Sequence, residues 1–141
     1  MRAIDSFSGE YRFLSNFYIT PDGKSVEHYY QAAKACNITD YLRIISADSP
    51  GNAKRLGRQI VIRSDWDNIK LVVMEQLLIK KFSDYDLARK LLETGDTELI
   101  EGNHWGDVYW GVCNGVGHNN LGRILMKIRD RFLDLSTIIT Y

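Results

Sequence analysis

The sequence predicts a mainly helical α+β fold, a single compact domain over residues 1–141 with a few short strands. Three observations carry that expectation. Apolar residues recur at three-to-four spacing in five or six segments, cap and stop residues bracket most of them, and alternating stretches are few and short. At 141 residues, 45% hydrophobic and 26% charged, the chain has the composition of a folded globular domain and the length to bury about two-thirds of its unfolded surface.

The elements follow in order. Residues 19–26 (ITPDGKSV) read as a hairpin, because proline presets φ and glycine accepts positive φ at the turn. A first helix over 26–36 takes Ser25 as its cap and carries Glu27 in its first turn, with Tyr30 or Gln31 and then Lys34 along one side. A short helix over 40–47 comes next, and a third begins at Ser49-Pro50 and stops near Gly57. Residues 59–63 (QIVIR) alternate like a strand. Asp65 is the expected cap of a long helix over 66–82 whose turns are marked by Ile69, Val72, Val73, Gln76 or Leu77, and Lys80. Ser83 resembles the start of a capping box for a helix over 85–93, which Gly95 stops. The last helix is expected over about 120–133.

Composition narrows the function. Apolar runs such as 71–74 and 77–79 are too short to span a bilayer, and the N-terminus lacks a signal-like apolar region. Cys36 and Cys113 have neither CxxC nor Cys/His metal spacing, so two free thiols and a cytoplasmic location are expected. Eighteen basic residues balance eighteen acidic ones, a field that suits a small ligand better than a long duplex or a membrane. Two basic stretches, Lys54, Arg55, Arg58 and Arg63, and Arg123, Lys127, Arg129 and Arg131, read either as phosphate contacts or as solvated faces.

Residues 102–129 are the densest candidate for a site. Trp105, Asp107, Tyr109 and Trp110 fall within six residues, followed by a Gly/Asn-rich loop and an amphipathic helix. Aromatic faces stack a flat base, a carboxylate handles a proton or a developing positive charge, and N–H groups at a loop-to-helix junction hold an anion. The same residues also make sense as core aromatics and turn formers.

Six landmarks occur in order: Phe13-Leu14-Ser15-Asn16-Phe17, Glu27-His28-Tyr29-Tyr30-Gln31-Ala32, Ser49-Pro50 with Gly57-Arg58, Trp66, Tyr109-Trp110-Gly111, and Asn120-Leu121-Gly122. Together they resemble the NADAR (YbiA-like) superfamily over almost the whole chain. The resemblance implies an N-glycosidase that cleaves bonds between a ribose anomeric carbon and nitrogen. The implied substrates are riboflavin-pathway ribosylamino-pyrimidine phosphates or ADP-ribosylated guanine, the latter in nucleic acid. It implies Glu27 and Asp107 as catalytic carboxylates and Trp66 and Trp110 as a clamp for the leaving base. The surroundings of Asp107, with Trp105-Gly106 before it and Val112-Cys113-Asn114 after the motif, depart from the family pattern.

An N-ribosidic bond breaks through an oxocarbenium-like state that a nearby carboxylate stabilises. On that chemistry Glu27 stabilises charge and takes a proton from water, while Asp107 orients a hydroxyl or water or protonates the leaving nitrogen. Phe13, Ser15, Asn16, Phe17, Tyr30, Tyr109, Gly111 and Asn120 complete the substrate-binding set. Lys34, Arg58 and the loop over 115–120 are the phosphate candidates. Read without the resemblance, Glu27 is a first-turn acid placed by the helix dipole and Asp107 merely holds a turn. His28, His104 and His118 lack ligand spacing, so neither metal nor cofactor is expected, and NAD-derived groups would be substrate or product. No membrane contact and no obligate protein partner are inferred. The alternative from another class is a non-catalytic module that binds ADP-ribose or a related nucleotide.

Overall fold

The computed structural model describes residues 2–140. It is mainly helical with a few two-residue strands, as expected, and its backbone contacts divide it into two units, Asn16–Lys81, and Met1–Ser15 with Phe82–Tyr141.

The unit Asn16–Lys81 opens on the 19–26 turn. Its two arms meet at one antiparallel bridge, Ile19 to Ser25, and form no strands. Thr20 N–H donates to Lys24 O (2.9 Å) and Gly23 N–H to Thr20 O (2.9 Å), with Gly23 at φ +81°, where a β-carbon is strained. Helix α1 (Val26–Ala32) starts at the expected Ser25, whose hydroxyl accepts from His28 N–H. It ends four residues before Cys36. Lys34 O accepts Arg63 N–H (2.9 Å) and Ala35 bridges Ile62, so tertiary pairing draws these residues out of the helix. The same bridge is all that forms of the strand expected over 59–63.

Helix α2 (Ile38–Ile45) begins earlier than Asp40 because Asn37 Oδ1 accepts Asp40 N–H (2.8 Å). Helix α3 (Pro50–Gly57) matches its expected bounds, capped by Ser49 with proline in the first turn. Ala32, Ile44 and Ala53 form the buried centre of α1, α2 and α3, with Ile45, Ala47, Leu56 and Ile60 packed around it. Helix α4 (Trp66–Lys81) contacts α1. Its buried residues are Trp66, Met74, Leu78 and Lys81; of those expected to mark its turns, Ile69, Val73 and Leu77 are half-buried and Val72, Gln76 and Lys80 exposed. Asp65 directs its carboxylate to Arg63 (2.6 Å), a surface pair worth little, and this takes Arg63 out of the expected basic stretch.

In the second unit, β1 (Ala3–Ile4) leads to a 3-10 helix (Gly9–Leu14) absent from the sequence expectation. Helix α5 (Tyr85–Glu93) is capped by Asp84 rather than Ser83, through Leu87 N–H (3.1 Å). Strand β2 (Glu98–Leu99) pairs in parallel with β1, Ala3 opposite Glu98 and Ile4 opposite Leu99. Strand β3 (Gly102–Asn103) pairs in parallel with β4 (Val112–Cys113). Helix α6 (Asn120–Thr140) extends beyond the expected end and lays Leu121, Ile124, Leu125 and Ile128 into the core over β2 and α5. Burying side chains such as Leu14, Leu99 and Leu125 contributes about 1.5–3 kcal/mol each. Arg129 is also buried: Nη1 donates to Thr94 Oγ1 (2.9 Å) and Thr97 O (2.7 Å). The second basic stretch is therefore not one phosphate-facing set. Among the described residues no helix is long and apolar enough to cross a membrane.

Lys81 is 6% exposed with its ammonium 5.5 Å from the Tyr18 ring centroid, and burial pulls its pKa down to about 7. The unfolded chain, with an ordinary lysine, binds the extra proton between about pH 7 and 10.5. The contribution of Lys81 to stability therefore rises with pH across that window. Urea midpoints measured from pH 7 to 10 are expected to climb for the native sequence, and Lys81→Met is expected to remove this contribution to the slope.

Candidate active site

Seven of the expected site residues lie in the unit Asn16–Lys81. His28 ties down the start of α1: its Nδ1 accepts Ser25 N–H (3.1 Å), which leaves the proton on Nε2 to donate to Ala47 O (3.0 Å). The usual capping-box glutamate is thus replaced by an imidazole that also reaches the segment after α2. This places Glu27 in the first turn, 7% exposed, where the helix dipole favours an anion. Glu27 N–H donates to Asn16 O (3.0 Å), and Glu27 Oε1 accepts from Gln31 Nε2 (2.7 Å).

One turn on, Tyr30 and Trp66 are both buried, their ring centroids 5.1 Å apart at 60°. The Lys34 ammonium lies 5.3 Å from the Tyr30 ring and 6.0 Å from the Trp66 ring. Burial lowers the Lys34 pKa; the Glu27 charge opposes that, and the positive charges of Arg58, Lys54 and Lys70 reinforce it. Lys54 also sits 5.9 Å over the Phe17 ring. Asn16 Nδ2 makes only a long contact to Met74 Sδ (3.6 Å), and its Oδ1 is buried with no partner. Glu27, Asn16, Phe17, Tyr30, Lys34, Arg58 and Trp66 therefore form one constellation of a carboxylate, aromatic rings and cations.

The other expected residues belong to the second unit. Asp107 Oδ1 accepts from Tyr109 N–H (3.1 Å) and Trp110 N–H (2.9 Å), and Asn103 brackets Asp107 from both sides, accepting its N–H (3.0 Å) and donating to its carbonyl (2.8 Å). Asn103 Nδ2 also reaches Glu101 Oε2 (3.1 Å). Tyr109 and Trp110 meet edge to face, centroids 4.8 Å apart. Asn120 Nδ2 holds Tyr109 O (2.9 Å). Gly111 has no room for a side chain, since a β-carbon would overlap Glu101. Phe13 is buried beneath the Lys90 ammonium (5.8 Å), and Ser15 N–H closes the 3-10 helix on Arg12 O (2.9 Å). Trp105 is exposed beside His104.

Several N–H groups in and just after the loop over 115–120, the expected anion cradle, are spent inside the chain. The N–H groups of His118, Asn119, Asn120 and Leu121 donate to the carbonyls of Val108, Gly111, Tyr109 and Trp110. They stitch the Asp107 segment to the start of α6. Sequence reasoning also missed Gln31, Asn103 and Glu101. Gln31 was findable from its i,i+4 spacing to Glu27, whereas Asn103 reaches Glu101 and Asp107 across a non-helical segment, where sequence spacing does not set which side chains meet. Cys36 and Cys113 are free thiols, and among the described residues no three His, Cys, Asp or Glu side chains converge as a metal site.

A carboxylate and two tilted aromatic rings gathered around a lysine, with further cations near it, are equipped to hold a flat, anionic ligand and to act on it. The NADAR domain model matches residues 6–133, and the chain belongs to that family. It is 38% identical over 121 residues to an N-glycosidase of Nostoc punctiforme, covering 81% of this chain and 77% of that one. To the N-glycosidase YbiA of Escherichia coli K12 it is 36% identical over 136 residues, covering 89% and 84%. A riboflavin biosynthesis protein of Vibrio vulnificus is 42% identical over 128 residues; the match takes in 84% of this chain but only 35% of that longer protein. The NMR structure of Escherichia coli YbiA superposes with a TM-score of 0.82 at 34% identity, over 96% of this chain and 88% of that one.

The hydrogen bonds at Asp107 generate a prediction. Asp107→Asn retains an acceptor for the Tyr109 and Trp110 N–H groups, whereas Asp107→Ala leaves both without it. Amide hydrogen exchange over 103–111 is expected to stay near native in the first variant and to speed up about tenfold or more in the second, each lost bond being worth about 1 kcal/mol.

Proposed function

We propose that the chain is an N-glycosidase that hydrolyses the bond between ribose C1 and a base nitrogen in a phosphorylated ribosyl substrate. The observation that carries this reading is Glu27, a buried carboxylate at a helix N-terminus whose charge acts on Lys34, the lysine that lies over the Tyr30 and Trp66 rings. The names of the Nostoc and Escherichia relatives support the reaction class.

In the proposed reaction the C1–N bond breaks toward the nitrogen, and positive charge grows on C1 and the ring oxygen next to the Glu27 carboxylate. Water adds to C1 and gives a proton to Glu27, and that proton passes on to the leaving nitrogen, which restores the carboxylate. The products are a ribose with a C1 hydroxyl and the free amine. Trp66 and Tyr30 supply ring faces for the base, stacking being worth about 1–3 kcal/mol per base. Lys34, Arg58 and Lys54 supply the positive charge that a phosphate requires. Asp107 Oδ1 is already engaged by two N–H groups, so proton handling falls to Glu27 and Asp107 is assigned to holding Tyr109 and Trp110.

The name of the Vibrio relative favours a ribosylamino-pyrimidine phosphate over ADP-ribosylated guanine. The test is mass-spectrometric detection of released base from both substrates. Native protein is expected to release base from the pyrimidine phosphate, and Glu27→Gln to lose at least about a hundredfold in rate with its fold and ligand affinity kept. Release from guanine alone would reassign the substrate. Tight binding with no release from either would make the chain a nucleotide-binding module instead.

A further inference from the structure

We propose that Gln31 is a positioning residue for Glu27, and that Gly57 is the notch that seats it. The proposal rests on the reading of Glu27 as the reactive carboxylate and adds the pair of residues that would hold it in place. Gln31 is 4% exposed and lies one helical turn after Glu27, with Nε2 donating to Glu27 Oε1 at 2.7 Å. Its Oε1 is buried without a hydrogen-bond partner. A buried carbonyl left unpaired destabilises a protein, so a glutamine kept there is explained by what its N–H group does.

The second observation lies on the neighbouring helix. At Gly57, the last residue of α3, a β-carbon would overlap Gln31 Oε1 and crowd its Cδ and Cβ. With glycine at 57 the Gln31 carbonyl fits against α3 while its nitrogen is turned to Glu27, and a β-carbon there would displace it. The reversed amide would set Oε1 against the carboxylate, two acceptors facing each other with no proton between them when Glu27 is ionised. Helix spacing thus brings the amide within reach of Glu27, and the notch on α3 holds it there. A donor fixed on the ionised form favours that form, which is the form required to stabilise a developing cation and to accept a proton from water.

The test follows the Glu27 carboxyl by NMR of protein labelled at the glutamate side-chain carbons, with Glu27→Gln identifying the signal. In Gln31→Met the Glu27 titration is expected to move up by about one pH unit, as expected for loss of a single donor to the carboxylate. Gly57→Ala keeps the glutamine but displaces its amide, and is expected to give a shift of the same direction even if Gln31→Met fails to fold. In a Gln31→Ala background Gly57→Ala is expected to add nothing, the signature of two residues acting through one contact. Where base release is measurable, the acid limb of kcat/KM moves up with the titration. An unchanged Glu27 titration in folded Gln31→Met or Gly57→Ala, or additive effects in the double variant, would overturn the proposal. The titration needs no substrate, so a native protein that releases no base would refute the glycosidase reading while leaving the Gln31 result to stand or fall separately.

Discussion

The imidazole of His28 is the contact on which the Glu27 constellation depends. It is 2% exposed and uses both ring nitrogens, one on the Ser25 N–H and one on the Ala47 carbonyl. A helix of seven residues has little stability of its own, because nucleation consumes most of what its few internal hydrogen bonds return. Fixing its first turn therefore fixes everything that α1 carries. Glu27 is held within that turn, Tyr30 and Gln31 follow one turn later, and Lys34 leaves the helix just after its end to pair its carbonyl with Arg63. The short helix is an asset here, since an unbroken one to Cys36 would leave Lys34 and Ala35 without those pairings.

Polar order of a different kind governs the Asp107 segment. Two asparagines do most of the bracing. Asn103 holds Asp107 by its backbone on both sides, and Asn119, at φ +52°, links Glu101 N–H and Leu99 O through its side-chain amide. Asparagine suits both places because one side chain donates and accepts at once, and at 119 also because it tolerates the left-handed conformation. Tyr109 and Trp110 are consequently presented by a loop whose backbone groups are largely engaged, which explains why the segment is rich in residues that serve a simple core strand poorly.

Several parts of this arrangement were legible from residue order. Ser49-Pro50 and Gly57 mark α3 because the hydroxyl cap, the proline φ and the glycine stop all act within a few residues. Glu27 and Tyr30 lie on α1 with Lys34 two residues past its end, and Tyr30 and Lys34 lie against the Trp66 ring. The plain alternative for Asp107, a residue that holds a turn, describes its hydrogen bonds. Less legible were features set by partners distant in sequence. Residues 59–63 alternate like a strand yet make one bridge to Ala35, and Arg129 looks like a surface cation until Thr94 and Thr97 receive it. The buried side of α4 went unread because its apolar residues surround the helix without choosing a face.

What the amino-acid order determined alone was local: which segments become helices, where caps stop or start them, and which carboxylates and rings are available for chemistry. These properties depend on interactions within about one turn, so neighbouring residues suffice to specify them. Tertiary structure alone decided the tasks given to the polar groups. The 115–120 loop has the glycines and N–H groups of an anion cradle, but the N–H groups of His118, Asn119 and Asn120 go to the carbonyls of Val108, Gly111 and Tyr109. Gln31 has the spacing to reach Glu27, but the glycine notch that orients its amide comes from α3. A hydrogen-bonding group is satisfied by whichever partner folding brings nearest, and for these residues that partner lies on another segment of the chain.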